Sequence, residues 1–285
     1  MESQLYLIGL YLAVEQKFKQ VVGNVCLRQR GFPPALSDIE VITILLFGEY
    51  QGYGDDKKIW RYTKNHWLEW FPKLGSYKNF AKHCAKLSCI TERIYERVTE
   101  PKLGESYIVD GLPMPVCKLA RKGRCKLFPG FANTGYCASQ KEYYYGFHGH
   151  LIITTTGEIR RFMLTPASGN EREALLEMVN GMEGNMLADK GYIGKFFTAQ
   201  MAQKNIIMHT PLRRNMKETR PLKFVKKLMN KRRYIETIIG KLIDQFSLLA
   251  NKARDYTSLS AKICRKLLSF SFALQIHGST RFLES

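Results

Sequence analysis

A short apolar run followed by prolines constrains the fold of this chain more than any other stretch. The residues from Tyr107 to Val109 are aromatic or β-branched, a single acid follows at Asp110, and prolines stand at Pro113 and Pro115. Because proline cannot donate to a strand ladder, the pattern predicts a buried strand that ends at Asp110. A carboxylate in such a place is costly unless a partner compensates it. Asp110 is therefore either a turn-capping residue or a functional acid at the mouth of a sheet.

Two further acids occupy comparable places later in the chain. Asp189 directly follows a short apolar run, 186–188, which predicts a second strand end. Glu236 lies at the start of a strongly amphipathic helix predicted over 235–249, on the border of its apolar stripe. An interaction with the helix dipole would explain Glu236 taken alone. Together, however, three acids on three elements suit a two-metal phosphodiester site, in which each ion takes a few carboxylates plus substrate oxygens.

From about residue 100 onward, strand patterns and helix patterns alternate. Their order is strand, hairpin, helix, strand, helix, strand and helix, which predicts an α/β fold with a mixed sheet and helices on its faces. The predicted strands cover 107–110, 143–153, 159–164, 186–189 and 206–210, and the predicted helices cover 171–179, 195–203, 235–249 and 258–276.

Residues 1 to about 100 show helical spacing only. Ser37 and Glu40 form a capping box that opens an apolar helix over 41–47. We therefore divide the chain into an all-helical N-terminal domain, 1–100, and an α/β domain, 101–285, that ends in a C-terminal helix. The N-terminal domain either binds DNA through a helix-turn-helix or serves as a packing or dimerisation module, because no recognition helix decides between the two.

The balance of charge indicates a polyanionic partner. Lys and Arg number 44 against 25 Asp and Glu, a net charge of +19, which favours nucleic acid. The most basic segment, 212–233, directly precedes Glu236 and includes Arg213 and Arg214. A run this one-sided is predicted to follow a phosphate backbone.

Other features argue against membrane and zinc classes. No apolar run reaches the length of a membrane span, and the first residues lack the basic start of a signal peptide. Seven cysteines without a Cys-x-x-Cys pair favour free thiols in a reducing compartment and disfavour a zinc site. We expect a cytoplasmic protein without a membrane partner.

Three motifs, taken in order, resemble those of the DDE transposases of bacterial insertion sequences. Val109–Pro113 resembles the first motif, in which a strand-end Asp precedes a small residue and a proline. Ala188–Tyr192 resembles the second, where Asp-x-Gly-Tyr is typical, and Arg232–Thr237 resembles the third, with basic residues before the Glu. The predicted strand order matches as well. Gly111 departs from the pattern, because many relatives have Ser there.

The resemblance implies a fold, a reaction and partners. It implies an RNase H-like catalytic domain in which Asp110, Asp189 and Glu236 are catalytic and bind two Mg²⁺ or Mn²⁺ ions. The implied reaction is metal-dependent hydrolysis at the ends of a mobile element, followed by attack of the freed 3′ hydroxyl on target DNA. The expected partners are double-stranded DNA, at terminal inverted repeats and at the target, and further copies of the chain in a homodimer or larger synaptic assembly on the nucleoid. The residues that flank the acids are expected to contact phosphates or flipped bases, namely Lys190, Tyr192, Arg232 and Arg233.

Three other functions stay open from the sequence. A metal-dependent nuclease on the same fold would cleave DNA without strand transfer. A transposase-derived DNA-binding protein would keep the fold without activity. A basic structural protein would explain the charge, but it would make three acids on three elements a coincidence. His148 and His150 face one side of a predicted strand and are interpreted as sheet residues rather than ligands.

Overall fold

The computed structural model describes residues 2–23, 27, 33–138, 140–212, 216, 220–250 and 252–284. Two compact units make up the chain: Met1–Val98 with Lys241–Ser285, and Thr99–Gly240. This grouping places residues 241–285 with the N-terminal helices, whereas the sequence-based division is 1–100 and 101–285. Arg213 and Arg214 lie outside the described residues.

Helices come first in the chain, and strands and helices alternate after them. In chain order, the helices are α1 (Glu2–Val22), α2 (Asp38–Tyr50), α3 (Asp56–His66), α4 (Tyr77–Val98), α5 (Glu171–Met178), α6 (Lys195–Gln203), α7 (Leu222–Asp244), α8 (Tyr256–His277) and α9 (Ser279–Glu284). The strands are β1 (Ser106–Lys118), β2 (Asn133–Cys137), β3 (Glu142–Thr154), β4 (Ile159–Pro166), β5 (Gly184–Leu187) and β6 (Ile206–His209). The predicted class, a mixed sheet flanked by helices and preceded by a helical segment, is confirmed. The short strand β2 was not predicted.

The helical unit contains a buried ionic cluster. At the start of α2 the predicted capping box is present, with Ser37 Oγ accepting from the Glu40 N–H at 3.2 Å and Glu40 Oε2 accepting from the Ser37 N–H at 2.6 Å. Near the end of α2, Glu49 is fully buried. Its two carboxylate oxygens accept from Arg265 Nε at 2.8 Å and from Lys266 Nζ at 2.7 Å, both on α8. Partners on both oxygens compensate for the hydration that this buried charge loses.

The second unit is built on one mixed sheet. β3 pairs antiparallel with β1 on one side and with β4 and β2 on the other. β5 lies parallel to β1, and β6 lies parallel to β5. β1 is therefore a central strand, with antiparallel neighbours towards one edge of the sheet and parallel neighbours towards the other.

β1 does not end at Asp110, as we predicted, but continues to Lys118. Its ladder with β5 covers only Ser106–Ile108, whereas its ladder with β3 continues to the end of the strand. Beyond Ile108, the edge of β1 that faced β5 has no partner among the described strands. The backbone nitrogens of Pro113 and Pro115 can face this edge, where no N–H donor is required. The prediction was wrong because a proline interrupts a ladder on one side of a strand only.

α7 begins at Leu222, well before the helix start that we predicted near Ile235. Pro221 directly precedes it, and the leucine, lysine, methionine and arginine residues that follow have high helix propensity. Glu236 consequently lies in the interior of α7 and not in its first turn. An interaction with the helix dipole, which falls off within the first turn, does not explain this acid.

The two faces of the sheet are covered by different helices. On one face, Val109 belongs to a core cluster with side chains of α5 and α6. Because strand side chains alternate between faces, Asp110 points to the opposite face. α7 covers that face, and its Tyr234 and Ile238 lie against Gly157 in the turn between β3 and β4.

The described helices and cysteines bear on the membrane prediction and on the thiol prediction. Among the described helices, none is long and apolar enough to cross a membrane. Cys84, Cys89, Cys117, Cys125 and Cys264 are free thiols, as predicted. Burial raises the pKa of Cys84 to about 12, so this thiol stays protonated and unreactive.

Candidate active site

Two aspartates are brought together by the parallel pairing of β1 and β5. Ile108 stands opposite Leu187 in that ladder. Two residues further on, Asp110 continues along β1 and Asp189 follows the end of β5. Because parallel strands run in the same direction, the same offset from one register pair places both acids at the same edge of the sheet. The register of the sheet therefore brings together two acids that lie far apart in the chain.

A single guanidinium group lies among all three candidate acids. Arg232 of α7 has its Nη1 atom 3.7 Å from Asp110 Oδ2 and 3.9 Å from Asp189 Oδ1. Its Nη2 atom donates to Glu236 Oε1 at 2.9 Å, one helical turn further along α7. The structure thus gathers Asp110, Asp189 and Glu236 around one point, each from a different element.

Three acids surround the Arg232 guanidinium, and the pKa of Asp110 reflects both its burial and these neighbouring charges. Burial raises the pKa of Asp110 to about 6. The backbone N–H of Gly111 donates to Asp110 Oδ1 at 2.9 Å and lowers this pKa, as does the Arg232 guanidinium. The charges of Asp189 and Glu236 raise it. Clustered carboxylates of this kind repel one another until a stronger cation neutralises them.

The acids differ in their exposure to solvent. The side chain of Asp110 is 24% exposed, whereas those of Asp189 and Glu236 are 50% and 54% exposed. The cluster is thus anchored on the sheet at Asp110 and open at the two other acids. An open cluster suits a large substrate better than a small ligand, which is normally enclosed in a concave pocket.

The residues predicted to contact DNA lie in different environments. Lys190, in the turn after Asp189, and Arg233, on α7, are exposed. Tyr192 is only 2% exposed and packs in the core cluster near Phe197. The Tyr192 ring therefore does not face a DNA ligand in this conformation.

A protein-family match covers the sheet that carries these acids. The sequence model of this family, described as the transposase DDE domain, matches residues 102–255, more than half of the chain. The chain belongs to the DDE transposase family. The matched range includes Asp110, Asp189, Arg232 and Glu236, so the cluster found in the structure lies entirely within the DDE transposase domain.

More distant comparisons add little to this assignment. Among curated proteins, none matches this DDE transposase significantly. Its structure resembles that of a piggyBac transposase synaptic complex with hairpin DNA, determined by cryo-EM. The TM-score is 0.48 and the sequence identity 10%, over 99% of this chain and 77% of that one. A likeness at this level is too distant to assign residues or activity.

The acids of this DDE transposase have the donor chemistry of a divalent-metal site. Carboxylate oxygens are hard ligands of the kind that Mg²⁺ and Mn²⁺ prefer. Within the part of the chain that the structure describes, no three acidic, histidine or cysteine groups are arranged to hold an ion as they stand. The Arg232 guanidinium lies at the centre of the cluster instead. The residues fit a metal in type, and a metal bound there would share these carboxylates with Arg232.

A cleft on α7 of the transposase was not foreseen from the sequence. It has a volume of about 540 Å³ and lies between α7 and the turn that connects β3 to β4. Its lining residues are Thr155, Lys227, Asn230, Lys231 and Tyr234. The four residues on α7 follow the offsets 0, 3, 4 and 7 and therefore share one helix face. Their spacing becomes informative only once α7 is known to begin at Leu222.

Proposed function

We propose that this DDE transposase cleaves DNA at the ends of a bacterial insertion sequence and transfers the freed 3′ ends to target DNA. The observation that carries the proposal is the convergence of Asp110, Asp189 and Glu236 around one point. The strand order supports it, because antiparallel strands followed by parallel ones match the RNase H-like arrangement that the resemblance implies. The family match supports it independently.

Two Mg²⁺ or Mn²⁺ ions are the proposed cofactors. Asp110 and Asp189 would share one or both ions, and Glu236 would complete one coordination shell. Ions bound in this way activate the attacking oxygen and stabilise the leaving oxygen in phosphodiester hydrolysis. Burial, with smaller contributions from the charges of Asp189 and Glu236, raises the pKa of Asp110, and a divalent cation beside it would favour the carboxylate form.

The other groups of the chain supply positioning and charge in the proposed reaction. β1 pairs with β5 up to Ile108 and with β3 at Asp110 itself, so it holds Asp110 on a hydrogen-bonded strand. Arg232 is planar and permanently charged, and it can contact substrate phosphates once it is released from the acids. Lys227 and Lys231 line the cleft on α7, where they can follow a phosphate backbone without reading sequence.

Double-stranded DNA is the proposed partner, both at the terminal inverted repeats and at the target. The net charge of +19 supports a polyanionic ligand. Transposition acts on two element ends, so we propose a homodimer or larger synaptic assembly on nucleoid DNA in the bacterial cytoplasm. The proposed phosphate contacts outside the cleft are Lys190, Arg213, Arg214, Arg232 and Arg233.

Cleavage of a labelled duplex that carries the terminal repeat, with Mg²⁺ or Mn²⁺, tests the proposal. Asp110→Asn, Asp189→Asn and Glu236→Gln are each expected to abolish cleavage, because each removes a charged ligand at almost constant volume. Binding to the same duplex in a gel-shift assay is expected to remain. Glu177→Gln on α5 is the matched control, because it makes the same chemical change at an exposed acid outside the cluster.

The outcomes separate the competing functions. Metal-dependent nicking by the wild type and Glu177→Gln, but by none of the three acid variants, would support the proposed site. Near-normal cleavage by one acid variant would remove that residue from it. Joining of a pre-cleaved end to plasmid DNA distinguishes a transposase from a nuclease on the same fold. Tight binding without cleavage under either metal would favour a DNA-binding protein.

A further inference from the structure

An imidazole from β3 occupies the space of a side chain directly beside Asp110. Gly111 follows Asp110 on β1, and a Cβ at this position would overlap Nε2 of His148 and meet its Cδ2 and Cε1 at 3.2 and 3.3 Å. The backbone of Gly111 is not in the positive-φ region. The conflict with His148, rather than the backbone conformation, therefore excludes a side chain at position 111.

The sheet register explains how this imidazole relates to Asp110. Gly111 pairs with His150, and Pro113 pairs with His148. Proline has no N–H to donate, so the pair of Pro113 with His148 is a non-hydrogen-bonded pair. Because the two kinds of pair alternate along an antiparallel ladder, the pair of Gly111 with His150, two residues earlier, is of the same kind. The N–H of Gly111 is thus turned away from β3, and it donates to Asp110 Oδ1 at 2.9 Å.

His148 is held from two further directions. Its Nε2 atom lies 3.4 Å from Glu171 Oε1, at the first residue of α5. Its ring centroid lies 4.9 Å from that of His150, whose Nε2 atom is 2.9 Å from Thr165 Oγ1. Nε2 of His148 is buried and makes no hydrogen bond within the described part of the chain. The ring is therefore fixed by packing and by one acid, and it presses against the backbone of Gly111.

We propose that His148 is a positioning residue for Asp110, an inference that rests on the proposed function. Its imidazole fills the side-chain space at position 111 and so fixes the Gly111 N–H that holds Asp110 Oδ1. His148 contacts α5 on one face of the sheet, whereas Asp110 contacts α7 on the other. It acts on the carboxylate through the strand backbone and not through contact with substrate.

Exchanging volume between the two positions tests this role. Gly111→Ala is expected to displace the imidazole and to lower cleavage about 100-fold, the loss that a small misplacement of a catalytic group produces. His148→Ala is expected to lower cleavage less, because it leaves a void without an overlap. The double variant Gly111→Ala, His148→Ala is expected to cleave better than Gly111→Ala alone. His148→Gln keeps much of the bulk of the imidazole and is expected to cleave better than His148→Ala. Gly123→Ala is the matched control, since nothing lies within 4 Å of its added Cβ.

Two measurements separate positioning from a purely structural role. Calorimetric titration with Mn²⁺ reports on the acids without cleavage, and urea unfolding reports on the fold. Positioning predicts weaker Mn²⁺ binding in Gly111→Ala and in His148→Ala, with recovery in the double variant. A purely structural role changes unfolding alone. His148→Ala introduces no overlap, so it supplies the result if Gly111→Ala does not fold.

Each outcome bears on a defined part of the proposal. Wild-type Mn²⁺ affinity and cleavage in folded His148→Ala would overturn the positioning role and leave the proposed function intact. Losses in both single variants without recovery in the double variant would overturn it as well, because the two positions would then act separately. If the wild-type protein neither binds Mn²⁺ nor cleaves DNA, the proposed function fails and the positioning role fails with it.

Discussion

Asp110 carries a carboxyl group whose protonation couples the candidate site to the stability of the protein. An Asp with its ordinary pKa of 3.8 releases its proton at a lower pH than Asp110, whose pKa is raised to about 6. Between these two pH values the folded chain holds more protons than the unfolded chain. Because the folded state binds the extra proton, its stability falls as pH rises through this range. A difference of roughly two pKa units corresponds to about 3 kcal/mol.

Asp110→Asn is expected to remove this pH dependence. Without divalent metal, the wild type should lose about 2 to 3 kcal/mol of unfolding free energy relative to the variant between pH 4 and pH 7. The loss should be absent below pH 3.8 and complete above about pH 6. Urea unfolding of both proteins in chelator, at several pH values, measures it. Parallel pH profiles would contradict a raised pKa at this residue.

Arg232 is the second residue whose role can be tested without cleavage. Arg232→Gln is expected to bind Mn²⁺ about tenfold more tightly, equivalent to about 1.4 kcal/mol, because the ion no longer competes with the guanidinium for the same carboxylates. Calorimetric titration measures the change. Arg233→Gln removes the same charge from the next, exposed residue of α7 and is expected to change the affinity far less. Weaker binding in Arg232→Gln would mean that Arg232 assembles the acids rather than competing for them.

At the scale of single residues, the sequence identified the three candidate acids but not Arg232, which lies among them. Asp110 and Asp189 each follow a short apolar run, which local pattern can identify. The position of Arg232 depends on the pairing of β1 with β5 and on the rotation of α7 about its axis. Neither quantity is encoded in a local pattern. For the same reason, the contact between Gly111 and His148 could not be foreseen.

Among the elements, α7 combines a residue of the acid cluster with a basic face. Lys227 and Lys231 line its cleft, and Glu236 lies further along the same helix. The double variant Lys227→Gln, Lys231→Gln is expected to weaken DNA binding equally for all sequences. It should also reduce the slope of log K against log salt concentration by about 1.8, because each lost phosphate contact contributes about 0.9.

Binding of a labelled duplex at several salt concentrations measures that slope. The double variant Lys195→Gln, Lys204→Gln changes the first residue of α6 and the residue directly after its end, and so removes the same charge from the helix layer on the opposite face of the sheet. It is expected to leave the slope close to that of the wild type. Equal reductions in both double variants would show that overall charge, and not the α7 face, governs DNA binding.

The kinds of element were easier to predict than their limits. The hairpin of β3 and β4 and the helices α5 and α6 fall where periodicity and turn residues place them. β1 extends past its prolines and α7 starts early, because pairing with β3 and packing on the sheet set these limits. β2 was missed because it is short, largely polar and supported by β3 along one edge.

For the whole molecule, composition and family assignment agree. The net charge of +19 predicted a nucleic-acid partner, and the chain belongs to a transposase family. The grouping of Lys241–Ser285 with Met1–Val98 was beyond the reach of local pattern. α8 is buried along most of its central residues, which shows that it packs in a core, but its sequence does not reveal which helices surround it.

The ionic cluster around Glu49 has a consequence for the order in which a nascent chain matures on the ribosome. Glu49 is translated well before Arg265 and Lys266, the two cations that bind its carboxylate. Thr99–Gly240, with all three candidate acids, is complete before either cation emerges. Because domains fold as units during synthesis, the sheet can assemble while the helical core is still open. A chain that ends before α8 therefore contains all three candidate acids but lacks both cations that pair with Glu49.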